Sequence, residues 1–239
     1  MVTSTLCKIA DLITAVPTAG GMFSRCEEYL YREERIADIV IQEEAYRRDR
    51  YPNRSDDLIA YMESGYQFYQ KLLFHDGMMM HASAVAMENR AYLFSGVSGV
   101  GKTTHTCLWK QLFGEAALVF NDDKPALRRI DGCWHAYGTP WCGKDGININ
   151  MKVPIAGICF MKQADENSIR RLKPQEALFS VISQTPHRFT EAAKLDMLLV
   201  HVEKLINEIP IFELCNRPEA DAARLSYETM CAAAKEAGI

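Results

Sequence analysis

Eight consecutive residues, Gly96-Val97-Ser98-Gly99-Val100-Gly101-Lys102-Thr103, fit the pattern G-x-x-x-x-G-K-[S/T]. The spacing has a chemical reason. Glycines let successive backbone N–H groups turn inward and cradle phosphate oxygens. A helix opening at the end of the loop aims its N-terminus at the same anion. In such a loop the lysine reaches the β- and γ-phosphates and the next hydroxyl ligates Mg²⁺. Lys102 and Thr103 hold those places, and Thr104 extends the nucleotide-binding run. ATP and Mg²⁺ are the expected cofactors. The bland alternative is a glycine turn before an ordinary helix.

A second run, Asn121-Asp122-Asp123-Lys124-Pro125, follows the apolar stretch Leu118-Val119-Phe120. Only 20 residues separate Lys102 from Asp122, room for one helix and one short strand. If that strand lies parallel to Ala91–Ser95, both end at one sheet edge and the carboxylates stand beside the phosphates. Adjacent carboxylates in a strand point opposite ways, so they divide the work. One would take a proton from an acceptor hydroxyl, and the other would hold metal or the loop. A polar turn after an edge strand is the alternative. His81 lies 15 residues before Gly96, on a strand expected to pair back to the one feeding the loop. On its own it reads as structural.

The elements around these residues follow from periodicity and turn chemistry. Ser55 is a natural N-cap with Asp56 and Asp57 in the first turn. Leu58, Met62, Tyr66, Tyr69 and Leu73 then recur at steps of three and four, a helix face read as packing. Met78–Ala86 and Arg90–Ser95 read as a hairpin about Glu88-Asn89, and Ala126–Ile130 and Cys133–Tyr137 as another about Asp131-Gly132. Lys102–Phe113 reads as a helix ended by Gly114, and Ala117–Phe120 as a short buried strand. Ile155–Met161, Ser168–Leu172 and Ile211–Leu214 read as strands. Pro174–Ser183, Glu191–Glu208 and Pro218 to the end read as helices. Glu191–Glu208 carries the stripe Leu195, Leu198, Leu199, Val202, Leu205 and Ile206. Upstream, Ile9–Val16 is apolar, Met22–Glu34 reads as a helix, Ala37–Ile41 as a buried strand and Arg47–Arg54 as a loop.

The 239 residues suffice for one large domain, or one domain with a small companion. A net charge of −4 disfavours a nucleic-acid partner, and no apolar run approaches a membrane span. Lys8 and Asp11 interrupt the first 20 residues, so no signal peptide is expected. The eight cysteines show no C-x-x-C spacing and read as reduced thiols, which points to a cytoplasmic protein. Cys133, His135 and Cys142 would suggest zinc but lack an obvious fourth ligand.

Taken together, His81, the Gly96–Thr103 loop and Asp122-Asp123 resemble the HPr kinase/phosphorylase family. The kinase core of that family runs histidine on a strand, G-x-S-G-x-G-K-S, then an Asp-Asp pair, and its fold is related to ATP-dependent phosphoenolpyruvate carboxykinase. The resemblance covers residues 78–137 well and the remainder by element order. It implies ATP-dependent phosphorylation of a serine-type hydroxyl, with Lys102 holding phosphate and Thr103 holding Mg²⁺. Asp122 would be the base that activates the acceptor, Asp123 the second, metal-holding carboxylate and His81 a supporting active-site residue. The block Gly138-Thr139-Pro140-Trp141-Cys142-Gly143-Lys144 looks like one in uncharacterised HPr-kinase-like proteins, some thought to act on ribosomal peptide precursors. Thr139, Trp141 and Lys144 are therefore expected to line the site. The alternative is a tight turn with Trp141 packed beneath it.

The chain also departs from that family. Where the family has a metal-binding glutamate before an Arg-Gly pair, this sequence reads Trp134-His135-Ala136-Tyr137-Gly138. The later Gly-Arg-Asn signature is missing, leaving phosphorylase activity and HPr as substrate unsupported. Arg170, Arg171 and Arg188 are basic candidates without a motif. The expectation is thus an α/β protein with a P-loop kinase core of the HPr kinase/phosphoenolpyruvate carboxykinase type and a mixed sheet at 78–239. A small N-terminal α/β region at 1–77 would recognise the acceptor or complete the sheet. Its partners would be a nucleotide and a hydroxyl-bearing peptide, protein or small molecule. The resemblance leaves a homo-oligomer open. The rival reading is a nucleotide-binding regulatory module or weak ATPase without phosphotransfer.

Overall fold

Left-handed backbone at Ala10 and Asp11 (φ 51° and 60°) closes a tight hairpin inside the apolar N-terminal run. In the computed structural model, which describes residues 4–18, 21–186 and 191–239, the hairpin joins β1 (Ser4–Ile9) to β2 (Leu12–Pro17). The helix expected over Met22–Glu34 shrinks to α1 (Met22–Arg25) and one 3-10 turn at Glu27–Tyr29. Tertiary pairing overrides local propensity there: Tyr31 N–H donates to the Leu6 carbonyl at 2.8 Å, and Cys7 bridges to Leu30. The strand expected at Ala37–Ile41 is only β3 (Ile39–Val40), parallel to β2 at the sheet edge.

Helix α2 (Asp56–Leu72) starts as its cap predicts, the Ser55 hydroxyl accepting from Leu58 N–H at 3.3 Å. Its buried side meets the expected stripe only at Tyr69 and Leu73: Ile59, Ala60, Ser64, Phe68 and Leu72 also pack inward, while Leu58 is exposed. The expected strand Met78–Ala86 is broken in two. β4 (Gly77–Met79) pairs with β8 (Ala126–Ile130), and β5 (Ala82–Met87) pairs with β6 (Arg90–Ser95). The break falls at Met80-His81, where His81 N–H donates to the Gln184 carbonyl at 2.7 Å. His81 therefore sits just ahead of its strand rather than on it.

Both hairpin turns match the sequence reading, with left-handed Glu88 and Asn89 in one and Asp131 and Gly132 in the other. The second joins β8 to β9 (Cys133–Tyr137). Helix α3 (Lys102–Phe113) leads to β7 (Leu118–Asp123), which is longer than expected and contains both aspartates. The rest comprises β10 (Lys152–Gln163), β11 (Ser168–Arg171), α4 (Pro174–Ser183), α5 (Ala192–Glu208), β12 (Ile211–Asn216) and α6 (Ala220–Glu236). On α5, Leu198, Val202 and Leu205 are buried, but Leu195 and Leu199 face outward. Among the described residues no helix is long and apolar enough to cross a membrane.

The large sheet is mixed, in the order β4-β8-β9-β10-β6-β5-β7, with β12 parallel to β10 and β11 antiparallel to β12. Lys152–Pro154 of β10 ladder against β9, and the rest of the strand joins β6 and β12, so one long strand belongs to two ladders. Central β6 shows why both faces need covering. Leu93 faces a cluster with Val181, Leu198 and Val202 of α4 and α5. Tyr92 and Phe94 face Trp109, Ala223 and Met230 of α3 and α6. Alternation along the strand feeds two cores. A third cluster joins the N-terminal strands and α2 to Ala126, Tyr137 and Trp141.

Candidate functional site

Sheet register brings the predicted residues together. Ala82, the first residue of β5, faces Ser95 on β6 and Asp123 on β7. The end of the strand feeding the glycine loop and the second aspartate therefore lie at one level, one strand apart on either side of Ala82. β6 and β7 run parallel, as the sequence reading required, with β5 between them. The Ser95 hydroxyl donates to the His81 carbonyl at 2.8 Å, fixing the third piece at the same edge.

The loop after β6 turns on Gly96, Gly99 and Gly101, at φ 142°, 81° and 106°. A side chain would strain this backbone. Helix α3 begins at Lys102, directly after the loop. Lys102 Nζ lies back across its own loop, donating to the Gly96 and Val97 carbonyls at 3.0 and 3.4 Å. Burial pushes the Lys102 pKa down, with Asp123 and Asp122 opposing. The Thr103 hydroxyl donates to Asp122 Oδ2 at 3.0 Å. Asp122 is further tied by its backbone: its N–H donates to the Ile147 carbonyl and its carbonyl accepts from Gly143 N–H.

Asp123 has a different surrounding. Its backbone is left-handed at φ 93°, a conformation a non-glycine residue rarely adopts and one concentrated at functional sites. His81 Nε2 is 2.9 Å from Asp123 Oδ1, and Lys124 Nζ engages Oδ2. Burial works to raise the Asp123 carboxyl, but the His81 hydrogen bond and the Lys124 charge overcome it and hold it well below the usual carboxylate range. For Lys124 burial works downward, and Asp123 and Tyr61 more than offset it, so its pKa is raised. Lys124 Nζ also donates to the Tyr61 hydroxyl at 3.0 Å, which in turn donates to the Cys142 carbonyl at 2.6 Å.

A hollow of about 500 Å³ lies over this arrangement, lined by His81, Lys102, Thr103, Thr104, Asp122 and Asp123 together with Lys144. Ser98, Gly99 and Gly101 border it, whereas Gly96 and Val100 face a neighbouring hollow beside Met161. Thr139 and Trp141 do not reach it. Thr139 is buried and locks the Lys124 carbonyl with Tyr69, while Trp141 is stacked on Phe68 with centroids 4.7 Å apart. His135 lies at another depression beside Ile155 and Glu208. Among the described residues no three His, Cys, Asp or Glu side chains cluster to hold a metal ion. Arg170 is engaged by Glu176 and Glu213, and Arg188 lies outside the described residues.

Sequence reasoning missed Tyr61, Lys124 and Arg25. The Arg25 guanidinium lies over the Tyr61 ring and reaches Cys142 Sγ at 3.3 Å. Lys124 carried one usable signal, a cation directly after two aspartates. Tyr61 and Arg25 carried none, because they come from segments far from the motif.

No known protein-family model matches the chain, and no curated protein matches it. Among solved structures, the Hpr(Ser) kinase/phosphatase from Coxiella burnetii is similar at 11% identity and a TM-score of 0.37, over 66% of this chain and 91% of that one.

Proposed function

We propose that the chain is an ATP-dependent kinase transferring the γ-phosphate to a hydroxyl, in a site made by the Gly96–Thr103 loop, Asp122 and Asp123. The observation that carries the reading is the pairing of each aspartate: Asp122 with Thr103, Asp123 with His81 and Lys124. The donor set fits Mg²⁺. Two hard oxygens, Thr103 Oγ1 and Asp122 Oδ2, stand together, and Mg²⁺ needs few protein ligands when phosphates and water supply the others. Those two residues would hold the ion, which when bound supplies neutralising charge at the β- and γ-phosphate oxygens. Loop amides cradle the phosphates, and Lys102 exchanges its loop carbonyls for phosphate oxygens.

This pairing supports dividing the aspartates the other way from the sequence expectation, with Asp122 on the metal side and Asp123 as the base. The acceptor O–H gives its proton to the Asp123 carboxylate. Its oxygen bonds to the γ-phosphorus, the bond from that phosphorus to the β,γ-bridging oxygen breaks, and the electron pair leaves on ADP. His81 and Lys124 keep Asp123 ionised and aimed.

A second reading, a nucleotide-binding module without transfer, has one observation in its favour. The strand where the resembled family carries a metal-binding glutamate has none here, and His135 on that strand lies outside the hollow. Incubation with γ-labelled ATP and a panel of hydroxyl-bearing acceptors separates the readings. Label in an acceptor supports the kinase. Tight nucleotide binding with no transfer supports the module, and free phosphate without acceptor dependence indicates an ATPase.

A further inference from the structure

Part of the α2 stripe that reads in sequence as packing, Leu58, Met62 and Tyr66, borders an open cavity, while Tyr69 and Leu73 are buried in the core. Tyr51, Leu58, Met62, Tyr66, Tyr69 and Trp141 are the aromatic and apolar residues that border the cavity's 490 Å³ beside Tyr61 and Met79. Leu58 is 36% exposed and Met62 and Tyr66 are half-buried, so among the described residues this part of the face is not closed over. Gly65 makes the floor: a Cβ there would lie 2.8 Å from Trp141 Cδ1, so only glycine lets the indole nest under the helix.

Position gives this cavity a meaning. Lys124 and Tyr61, joined by the 3.0 Å hydrogen bond, form its inner wall. The same two residues, with Asp123, Gly143 and Lys144, line a middle hollow of about 500 Å³. Asp123, Gly143 and Lys144 in turn line the hollow over the glycine loop. Three spaces thus adjoin in a row, with the Asp123–Lys124 pair at the centre. At the far end stand Arg47 and Arg50. Arg47 leans on the Tyr66 ring and Glu63, whereas among the described residues no carboxylate pairs with Arg50.

Resting on the kinase reading above, we infer that the aromatic cavity holds the body of the acceptor. The acceptor is then a peptide whose hydroxyl residue stands at Asp123, with a bulky apolar neighbour over Met62 and Tyr66 and a carboxylate toward Arg50. Two adjoining spaces of this size exceed what a single small residue fills, so free serine leaves the cavity empty. Binding a large side chain in such a pocket discriminates by about 10–200-fold per well-placed group.

The test compares seryl-phenylalanine with seryl-glycine as acceptors of γ-labelled phosphate, in the wild type and in Met62→Trp, which fills the cavity. A kcat/KM at least tenfold higher for seryl-phenylalanine, lost in Met62→Trp, is the expected result. Equal rates in the wild type, or a preference untouched by Met62→Trp, would overturn it. Leu58→Gln serves if the tryptophan variant fails to fold; it should cut the same preference severalfold. If neither dipeptide is labelled although ATP binds, the kinase reading fails by itself. The cavity is then judged by calorimetry with alanyl-phenylalanine, which has no hydroxyl to phosphorylate. Binding weakened tenfold by Met62→Trp upholds the cavity's ligand class, and absent or unchanged binding refutes it.

Discussion

The glycine-loop end of the site and the aromatic end are built by opposite means. At the loop end, one short run supplies amides, ammonium and hydroxyl, and β7, two strands across the sheet, supplies Asp122. At the aromatic end, Tyr51, Tyr61, Lys124 and Trp141 come from separate segments, met only through folding. The first end is polar and combines a glycine loop with the side chains of Lys102, Thr103 and Asp122. The second is side-chain surface, closed beneath by the Trp141 indole, whose N–H donates to Ser64 at 3.0 Å. On the kinase reading the contrast has a reason: phosphate is the same in every nucleotide and suits one contiguous loop, whereas acceptors differ and call for a site assembled from side chains the fold brings near. Asp123 belongs to both ends, and the strain at its φ of 93° falls where they meet.

Each end can be broken without the other. Thr103→Val keeps the shape and removes the hydroxyl that meets Asp122. The Mg²⁺ needed for half-maximal nucleotide binding should rise by roughly 10–100-fold, the usual cost of losing a metal-site partner. Calorimetry over a Mg²⁺ series checks this, and alanyl-phenylalanine affinity should stay put. A joint loss would merge the two ends into one unit.

On the aromatic side, Gly65→Ala forces a methyl against the Trp141 indole. Overpacking of this kind costs about 1–3 kcal/mol, to be read as a lower urea midpoint. An unchanged midpoint would mean that Trp141 has room to shift.

The junction responds to pH. The folded Asp123 carboxyl is held below its ordinary pKa, so it binds protons less readily than in the unfolded chain. Its contribution to stability is therefore present above about pH 4, the ordinary carboxylate value, and fades as pH falls below it. Asp123→Asn keeps a residue tolerant of left-handed backbone, so it isolates the charge. At pH 7 the variant should be less stable by about 1–2 kcal/mol, a figure reduced for partial exposure. Urea titrations should show that gap closing below pH 4; a constant gap would assign it to shape.

The smallest expected effect is at Tyr61. Tyr61→Phe removes the acceptor for Lys124 and the donor to the Cys142 carbonyl. One modest hydrogen bond is worth about 1 kcal/mol, so acceptor KM should rise about fivefold with nucleotide affinity unchanged. A change in nucleotide affinity would tie Tyr61 to the loop end.

This contrast also explains what the sequence revealed. The loop, helix α3 and the hairpins about Glu88-Asn89 and Asp131-Gly132 were legible because each is specified by neighbouring residues, whereas the hairpin at Ala10-Asp11 carries no glycine or asparagine to mark it. The parallel course of β6 and β7 was only a condition in the sequence, where the spacing shows room for one helix and one short strand; the strand β5 between them fixes it. Residues 22–34 were misread because pairing with β1 outcompetes a weak helical period. Met80-His81 looked continuous with two strands, and no local signal marks a break fixed by the distant Gln184 carbonyl. The α2 stripe was seen correctly as a stripe, but sequence alone does not say whether a hydrophobic face is covered.

The two aspartates test the account most directly. Transfer from γ-labelled ATP and Mg²⁺-nucleotide affinity should be measured for Asp122→Asn and Asp123→Asn beside the wild type. The account predicts that Asp123→Asn loses transfer by roughly 10²–10⁴-fold, the contribution of a positioned base, with Mg²⁺-nucleotide affinity little changed. Asp122→Asn should weaken Mg²⁺-nucleotide binding itself. Wild-type transfer by Asp123→Asn, or intact nucleotide binding with lost transfer in Asp122→Asn alone, would contradict it.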